Sequence, residues 1–115
     1  MNIAIMKLIT FKSLLCFFIA YSSALSVQAQ DKEAGKNKAN VCATCHGIDG
    51  ISTLPVAPHL AGQPESYVKD QLKAYRDGKR VNDMMSLLAK PLSDKDIDDL
   101  AAWYSSIKIN ATLPK

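Results

Sequence analysis

Apolar residues change their spacing along this chain, and each change predicts a different kind of segment. The last third has the clearest helical spacing, with five apolar residues three or four positions apart: Ile97, Leu100, Ala101, Tyr104 and Ile107. Ser93 precedes this stripe as an N-cap, and Asp96 follows three residues later as its capping-box partner. The pattern predicts an amphipathic helix that begins directly after Ser93.

Two earlier segments also have helical character. Residues from Asp31 to about Val41 are good helix formers, and a second helix is expected from Pro64 to about Asp77. Residues 47–63 are rich in Gly, Pro, Ser and Thr, and residues 77–83 are polar, so both stretches are predicted to be loops. The expected fold is all-α, with three main helices and long connecting loops.

The N-terminal segment has the pattern of a secretory signal. Lys7 and Lys12 supply a positively charged region, and an apolar run from Leu14 to Leu25 follows it. Val27-Gln28-Ala29 then offers a cleavage site after Ala29. We therefore expect residues 1–29 to be a signal peptide, residues 30–115 to be one domain, and the mature protein to be periplasmic. An uncleaved membrane anchor is the alternative, but the apolar run is shorter than the ~20 residues of a spanning helix.

Charge narrows the range of partners. The formal net charge is +3, but two of the 14 basic residues and none of the 11 acidic residues lie in the leader, which leaves +1 for the domain. Such a balance argues against nucleic-acid binding. Basic residues cluster on the second helix and the loop after it (Lys69, Lys73, Arg76, Lys79, Arg80), and acidic residues cluster at the start of the last helix (Asp94, Asp96, Asp98, Asp99). Each cluster is either a docking surface or an ordinary solvated or capping feature.

The most specific chemical signal is Cys42-Ala43-Thr44-Cys45-His46. Two thiols three positions apart and followed at once by an imidazole are typical of covalent haem attachment, in which His46 binds the iron axially. A redox dithiol would need a preceding strand, and a zinc site would need two further ligands at matching spacing. The prediction is one covalently bound haem c.

The second axial position of the iron decides the function. Met84 and Met85 follow the polar stretch 77–83, and a loop methionine well after the attachment motif suits His/Met coordination. His59 is the alternative ligand, since it is the other histidine of the chain. With both axial positions filled by protein, only electrons reach the metal.

The domain resembles the small single-haem class I c-type cytochromes over nearly its whole length. The resemblance rests on matching stretches spread along the domain. They are Ala34-Gly35-Lys36, the attachment motif with Gly47, Pro58-His59-Leu60-Ala61-Gly62-Gln63, Tyr67 with Gln71-Leu72, Arg76-Asp77-Gly78, Asn82-Asp83-Met84-Met85, Leu92-Ser93-Asp94, Ile97 and Leu100-Ala101-Ala102-Trp103-Tyr104. It implies a fold of helices and loops wrapped around one haem, with Gly35 at the crossing of the first and last helices.

The resemblance also implies roles for individual residues. Cys42 and Cys45 would form the thioether links, and His46 would be the proximal ligand. The carbonyl of Pro58 would accept the Nδ1–H bond of His46, and Met85, rather than Met84, would be the second axial ligand.

We therefore expect a monomeric carrier of single electrons between redox proteins, not an enzyme, with no nucleic-acid partner and no stable membrane insertion after leader cleavage. Two alternatives stay open at this point. The domain could be a haem subunit bound permanently in a larger oxidoreductase complex, or a haem sensor or enzyme with an open sixth site.

Overall fold

The computed structural model describes residues 29–114 of the 115-residue chain. The predicted signal peptide, except for Ala29, lies outside the described residues. The described part contains α-helices and no strand, which confirms the expected all-α class. No helix among residues 29–114 combines the length and the apolar character needed to cross a bilayer.

Five helices make up the described part. They are α1 (Lys32–Lys38), α2 (Asn40–His46), α3 (Glu65–Arg76), α4 (Asp83–Ala89) and α5 (Asp94–Ser106). The expected long loop between α2 and α3 contains only turns and bends. Two short helices, α2 and α4, add to the three main helices that the sequence pattern predicts.

The first helix is shorter than expected and is followed at once by the second. The Asp31 side chain caps α1 by accepting the N–H groups of Glu33 and Ala34. At Ala39 the backbone tightens, because the N–H of Cys42 donates to the Ala39 carbonyl three residues back at 2.9 Å. This turn starts α2, so the attachment motif lies within a helix of its own.

The last helix supplies most of the core. Ser93 and Asp96 form the predicted capping box, in which each side chain accepts from the other residue's backbone N–H. The largest fully buried side chains are Ile97, Leu100 and Tyr104, all from α5. Ala39 packs against Leu100 and Tyr104, so the core joins the start of the attachment segment to α5.

Gly35 allows α1 to cross α5 at very short distance. A Cβ atom at this position would lie 2.0 Å from the carbonyl oxygen of Asp99 and 3.0 Å from the Cβ of Trp103. Lys36 lies over the Trp103 ring at 5.6 Å, which adds a cation–π contact beside the crossing. Only glycine fits this approach, in agreement with the role that the resemblance implies.

Two ion pairs join the basic cluster to the acidic cluster. Lys69 pairs with Glu65 at 2.7 Å and with Asp98 at 3.1 Å, while Arg76 pairs with Asp94 at 2.7 Å. Two further acidic residues of the second cluster are paired, Asp96 with Lys38 and Asp99 with Lys95. The geometry therefore favours a capped and ion-paired helix start for the acidic cluster. In the basic cluster, Lys73, Lys79 and Arg80 have no ion-pair partner among the described residues, and Arg80 contacts Gln71 and the Tyr75 ring.

Candidate functional site

Helix α2 presents the three residues of the attachment motif together. Cys42 and Cys45 are three positions apart in the helix and therefore lie on the same side of it. Both are free, half-buried thiols, and His46 is the buried last residue of α2. Burial raises the pKa of the Cys42 thiol, which packs against the Leu100–Tyr104 core. One short helix thus holds two thiols and one imidazole in a partly water-shielded position.

The imidazole of His46 is fixed by the loop that follows α2. Its Nδ1 lies 2.8 Å from the carbonyl oxygen of Pro58. A carbonyl can only accept, so Nδ1 carries the proton and the lone pair of Nε2 is free to bind a metal. When the nitrogen that does not bind the metal donates such a hydrogen bond, the bond orients the histidine and increases its basicity as a ligand. This is the contact that the resemblance implies for Pro58.

Two glycines let the loop return so closely to α2. Gly47 ends the helix at φ 78°, and Gly50 follows at φ 73°, both in the region that favours glycine. The carbonyl of Gly50 accepts from the backbone N–H groups of Leu60 and Ala61 at 2.8 and 3.1 Å. A Cβ at Gly50 would lie 2.7 Å from the Ala61 nitrogen. Residues 50–52 and 59–61 therefore form the closed base of the loop that carries Pro58.

His59, the alternative ligand, has a hydrogen bond of its own in this loop. The backbone N–H of Ser52 donates to His59 Nδ1 at 2.9 Å. The hydroxyl of Ser52 donates to the Cys45 carbonyl at 2.7 Å, so the loop base is also tied to α2. Sequence spacing alone gave no sign of this contact, because it depends on how the loop closes.

The two methionines lie in a short helix instead of a loop, so that part of the prediction is wrong. Asn82 caps α4 by accepting the N–H of Met85 at 2.9 Å. The signal was present in the sequence, since Asn is a preferred N-cap and Asp83 follows in the first turn. Met84 is 56% exposed, whereas Met85 is partly buried. The two neighbours are therefore not equivalent as ligands.

Comparison with known proteins decides the family. The cytochrome c family model matches residues 32–108, which is most of the chain and nearly all of the described part. The chain belongs to the cytochrome c family. It is a small class I c-type cytochrome, and as such it binds haem c covalently.

Individual relatives agree with this assignment. Cytochrome c-554(548) of Halomonas halodenitrificans is 46% identical over 81 residues, which cover 68% of this chain and 98% of the relative. The crystal structure of reduced recombinant cytochrome c4 from Pseudomonas stutzeri matches with a TM-score of 0.63 and 43% identity, over 70% of this chain and 47% of that one.

A third relative has a name that states a redox role. The "thiosulfate dehydrogenase electron acceptor" of Thiomonas intermedia is 46% identical over 77 residues, or 65% of this chain and 35% of the relative. This cytochrome therefore spans nearly all of the first relative but less than half of the other two. Its membership of the family supports electron transfer as its general function.

The residues of this cytochrome fit the haem that its family binds. Two thiols suit the two vinyl groups, and a free Nε2 together with a thioether sulfur suits the iron. Apolar side chains in the loop after α2 are also exposed, namely Ile48, Ile51 and Leu54. A flat apolar cofactor would add to a core in which, among residues 29–114, the largest fully buried side chains are those of Tyr104, Ile97 and Leu100.

Proposed function

We propose that this cytochrome is a periplasmic carrier of single electrons. Cys42 and Cys45 would hold one haem covalently, and His46 and Met85 would be the ligands of its iron. The proposal rests above all on the His46–Pro58 contact of 2.8 Å, because it leaves Nε2 available and holds the ring in one orientation.

The choice of Met85 over Met84 rests on burial and on capping. A thioether that binds haem iron must be shielded from solvent, and Met85 is the more buried of the two methionines. Its backbone N–H is held by Asn82 at 2.9 Å, which fixes the start of α4. Met84 projects largely into solvent and serves as the natural control.

The protein's part in electron transfer is to keep the surroundings of the iron unchanged. Haem supplies the one-electron chemistry, and a thioether ligand favours the ferrous state and raises the reduction potential. His46 is buried and hydrogen-bonded, so it need not move when the charge of the site changes. With both axial positions occupied, small molecules are excluded from the metal, which distinguishes a carrier from a sensor or an enzyme.

The axial ligands are tested by the absorption spectrum of the oxidised holoprotein. Sulfur bound to ferric haem gives a weak far-red band, which we expect in the wild type and in Met84→Ala. Met85→Ala should lose the band, and its reduced form should bind carbon monoxide. If Met84→Ala loses the band while Met85→Ala keeps it, the ligand is Met84. If the wild type lacks the band, the site is open or bound by another residue.

Location, processing and haem number are tested together by fractionation and intact mass. Expression with the haem-attachment machinery should place the protein in the periplasmic fraction. Its mass should correspond to cleavage after Ala29 plus a single haem, and its sedimentation to a monomer. A mass that includes residues 1–29 would support the anchor alternative instead.

An apolar groove supports a second candidate, a haem subunit that stays bound in a larger complex. The groove has a volume of about 650 Å³ and is lined mainly by Ala34, Val41, Leu87, Leu88, Pro91 and Leu92. Val41 and Leu87 are 63% and 69% exposed, so these side chains could be covered by a partner.

The two candidates differ in how the protein behaves in its native extract. A permanent subunit should co-sediment with its complex, and the double variant Val41→Ser/Leu87→Ser should release it. Val56→Ser is the control, because Val56 is 92% exposed and does not line the groove. Wild-type protein that sediments alone supports the free carrier.

A further inference from the structure

The loop that carries Pro58 is closed by a side chain with no role in the proposed site. The backbone N–H of Ser52 donates to His59 Nδ1 at 2.9 Å, and His59 directly follows Pro58. Because Nδ1 accepts here, the ring of His59 is neutral and carries its proton on Nε2. His59 is therefore engaged as an acceptor within the loop.

Ser52 extends this contact to the attachment helix. Its hydroxyl donates to the Cys45 carbonyl at 2.7 Å and accepts the N–H of Leu54 at 3.0 Å. Ser52 is buried, so these bonds are shielded from water. One continuous chain of hydrogen bonds thus runs from His59 through Ser52 to the residue before His46.

Pro58 has no means of its own to hold its position in the loop. It lacks an N–H group, and its carbonyl is directed to His46. The neighbouring residues Leu60 and Ala61 are held by the Gly50 carbonyl, but only at the backbone. The Gln63 side chain donates to the His59 carbonyl at 3.2 Å, but Gln63 lies on the same side of the loop. The contact of His59 with Ser52 is the side-chain link that joins the two ends of the loop next to the Pro58 carbonyl.

We propose that His59 is a positioning residue for His46: by accepting from Ser52, it holds the Pro58 carbonyl at hydrogen-bonding distance from His46 Nδ1 and so sets the reduction potential. The inference rests on the proposed axial role of His46. A firm Nδ1–H bond to a carbonyl makes the imidazole a stronger donor, which favours ferric iron. Loosening that bond should therefore favour ferrous iron.

The test compares His59→Leu with His59→Asn in the holoprotein. Leucine removes the acceptor, whereas the Oδ1 of asparagine takes nearly the position of Nδ1 and keeps it. Both replacements are uncharged, and measurement at pH 8 compares them with a neutral imidazole. Two quantities are recorded: the reduction potential, and the exchange rate of the His46 Nδ1 proton with water in the ferrous protein.

In His59→Leu, the ferrous-to-ferric ratio at fixed ambient potential should rise about threefold. This corresponds to ~28 mV at about 59 mV per tenfold for one electron. The His46 Nδ1 proton should exchange about tenfold faster. His59→Asn should restore both values. Ser52→Ala, which keeps its backbone N–H, should shift both in the same direction by less, and the two changes should not add fully.

A purely structural role would produce a different result. His59→Leu would then lower the thermal midpoint while the potential and the proton exchange rate stayed at wild-type values, and this would overturn the proposal. Failure of His59→Asn to restore either quantity would overturn it as well. If His59→Leu does not fold, His59→Ala, which also removes the acceptor, decides by the same two measurements.

Failure of this inference can be told apart from failure of the proposed function. A wild-type protein without the far-red band would refute Met85 as ligand, yet proton exchange at His46 would still report on His59. A normal far-red band together with unchanged exchange in both variants would refute only the role of His59.

Discussion

The two sides of the proposed haem site are held very differently. On the His46 side, residues 42–63, the ligand is buried and its ring is bonded to Pro58, whose loop is tied back to α2 through Ser52. On the Met85 side, residues 79–89, the proposed ligand is only partly buried and lies in the first turn of α4. Asn82 supplies its N-cap, and Met84 and Leu87 are exposed.

This difference indicates which ligand gives way first. Segments with few buried contacts open at lower free energy than segments with many. We therefore expect local opening to expose Met85 long before His46 is released. The proposed carrier would tolerate such an arrangement, because the proposed covalent attachment through Cys42 and Cys45 would keep the haem in place while the other side opens.

The largest effect is expected from breaking the loop on the His46 side. In Gly50→Ala, the new Cβ would meet the Ala61 nitrogen at 2.7 Å and would force φ 73° on a residue with a side chain. We expect a loss of about 3 kcal/mol in the free energy of unfolding, measured by guanidinium titration of the holoprotein.

Gly78→Ala is the matched control for this variant. Gly78 has the same φ of 73°, but a Cβ there would meet nothing within 4 Å. Its cost should be limited to backbone strain, about 1 kcal/mol. Equal losses in the two variants would show that close packing of the loop against Ala61 contributes nothing.

A smaller effect is expected from loosening the Met85 side. Asn82→Ala removes the N-cap of α4 and should cost about 1 kcal/mol of local stability. Imidazole added to the ferric protein should then displace Met85 about fivefold more readily. The affinity is measured by the loss of the far-red band. Asn82→Ser, which keeps a capping oxygen, should remain near wild type, and an unchanged affinity in Asn82→Ala would contradict the proposed weakness of this side.

The smallest effect concerns the ion pair between Lys38, at the end of α1, and Asp96, at the start of α5. Lys38 lowers the pKa of Asp96 to about 2, from an ordinary value of 3.8, and the capping bonds with Ser93 contribute. The stabilisation is therefore present above pH 4 and is lost as the pH falls towards 2. After allowance for solvent screening it is about 1 kcal/mol.

Asp96→Asn should lose most of this contribution at pH 5 but differ little from wild type at pH 2. The free energy of unfolding at the two pH values is the measurement, and Lys38→Met should reproduce much of the change. If the free energy of unfolding differs from that of the wild type by the same amount at both pH values, the charge of the Asp96 carboxylate is not what stabilises the protein.

Local rules account for what the sequence predicted well. The spacing of Cys42, Cys45 and His46 already places them together, as one short helix shows, and their role in haem attachment stays a prediction. The start of α5 was equally accessible, because the Ser93 capping box is complete within four residues. Helix α3 ends at Arg76, just before the expected limit at Asp77.

Features that depend on distant partners could not be predicted in this way. The contact between Ser52 and His59 requires a closed loop, and pairs such as Lys69 with Asp98 join different helices. Helix α4 is an intermediate case, since polar composition obscured a cap that Asn82 already signalled. Long-range closure, more than local propensity, separates the predicted from the unpredicted parts.

The crossing at Gly35 has a consequence for the order in which the molecule is assembled. The backbone N–H of Asp31 donates to Asp99 at 2.8 Å, a contact between residues 68 positions apart. In the proposed export, which begins at the N-terminus, the attachment motif would reach the periplasm before α5 does, so its thiols would still be uncovered. Cys42 and Cys45 could then meet the attachment machinery first, and the chain would close around the haem afterwards.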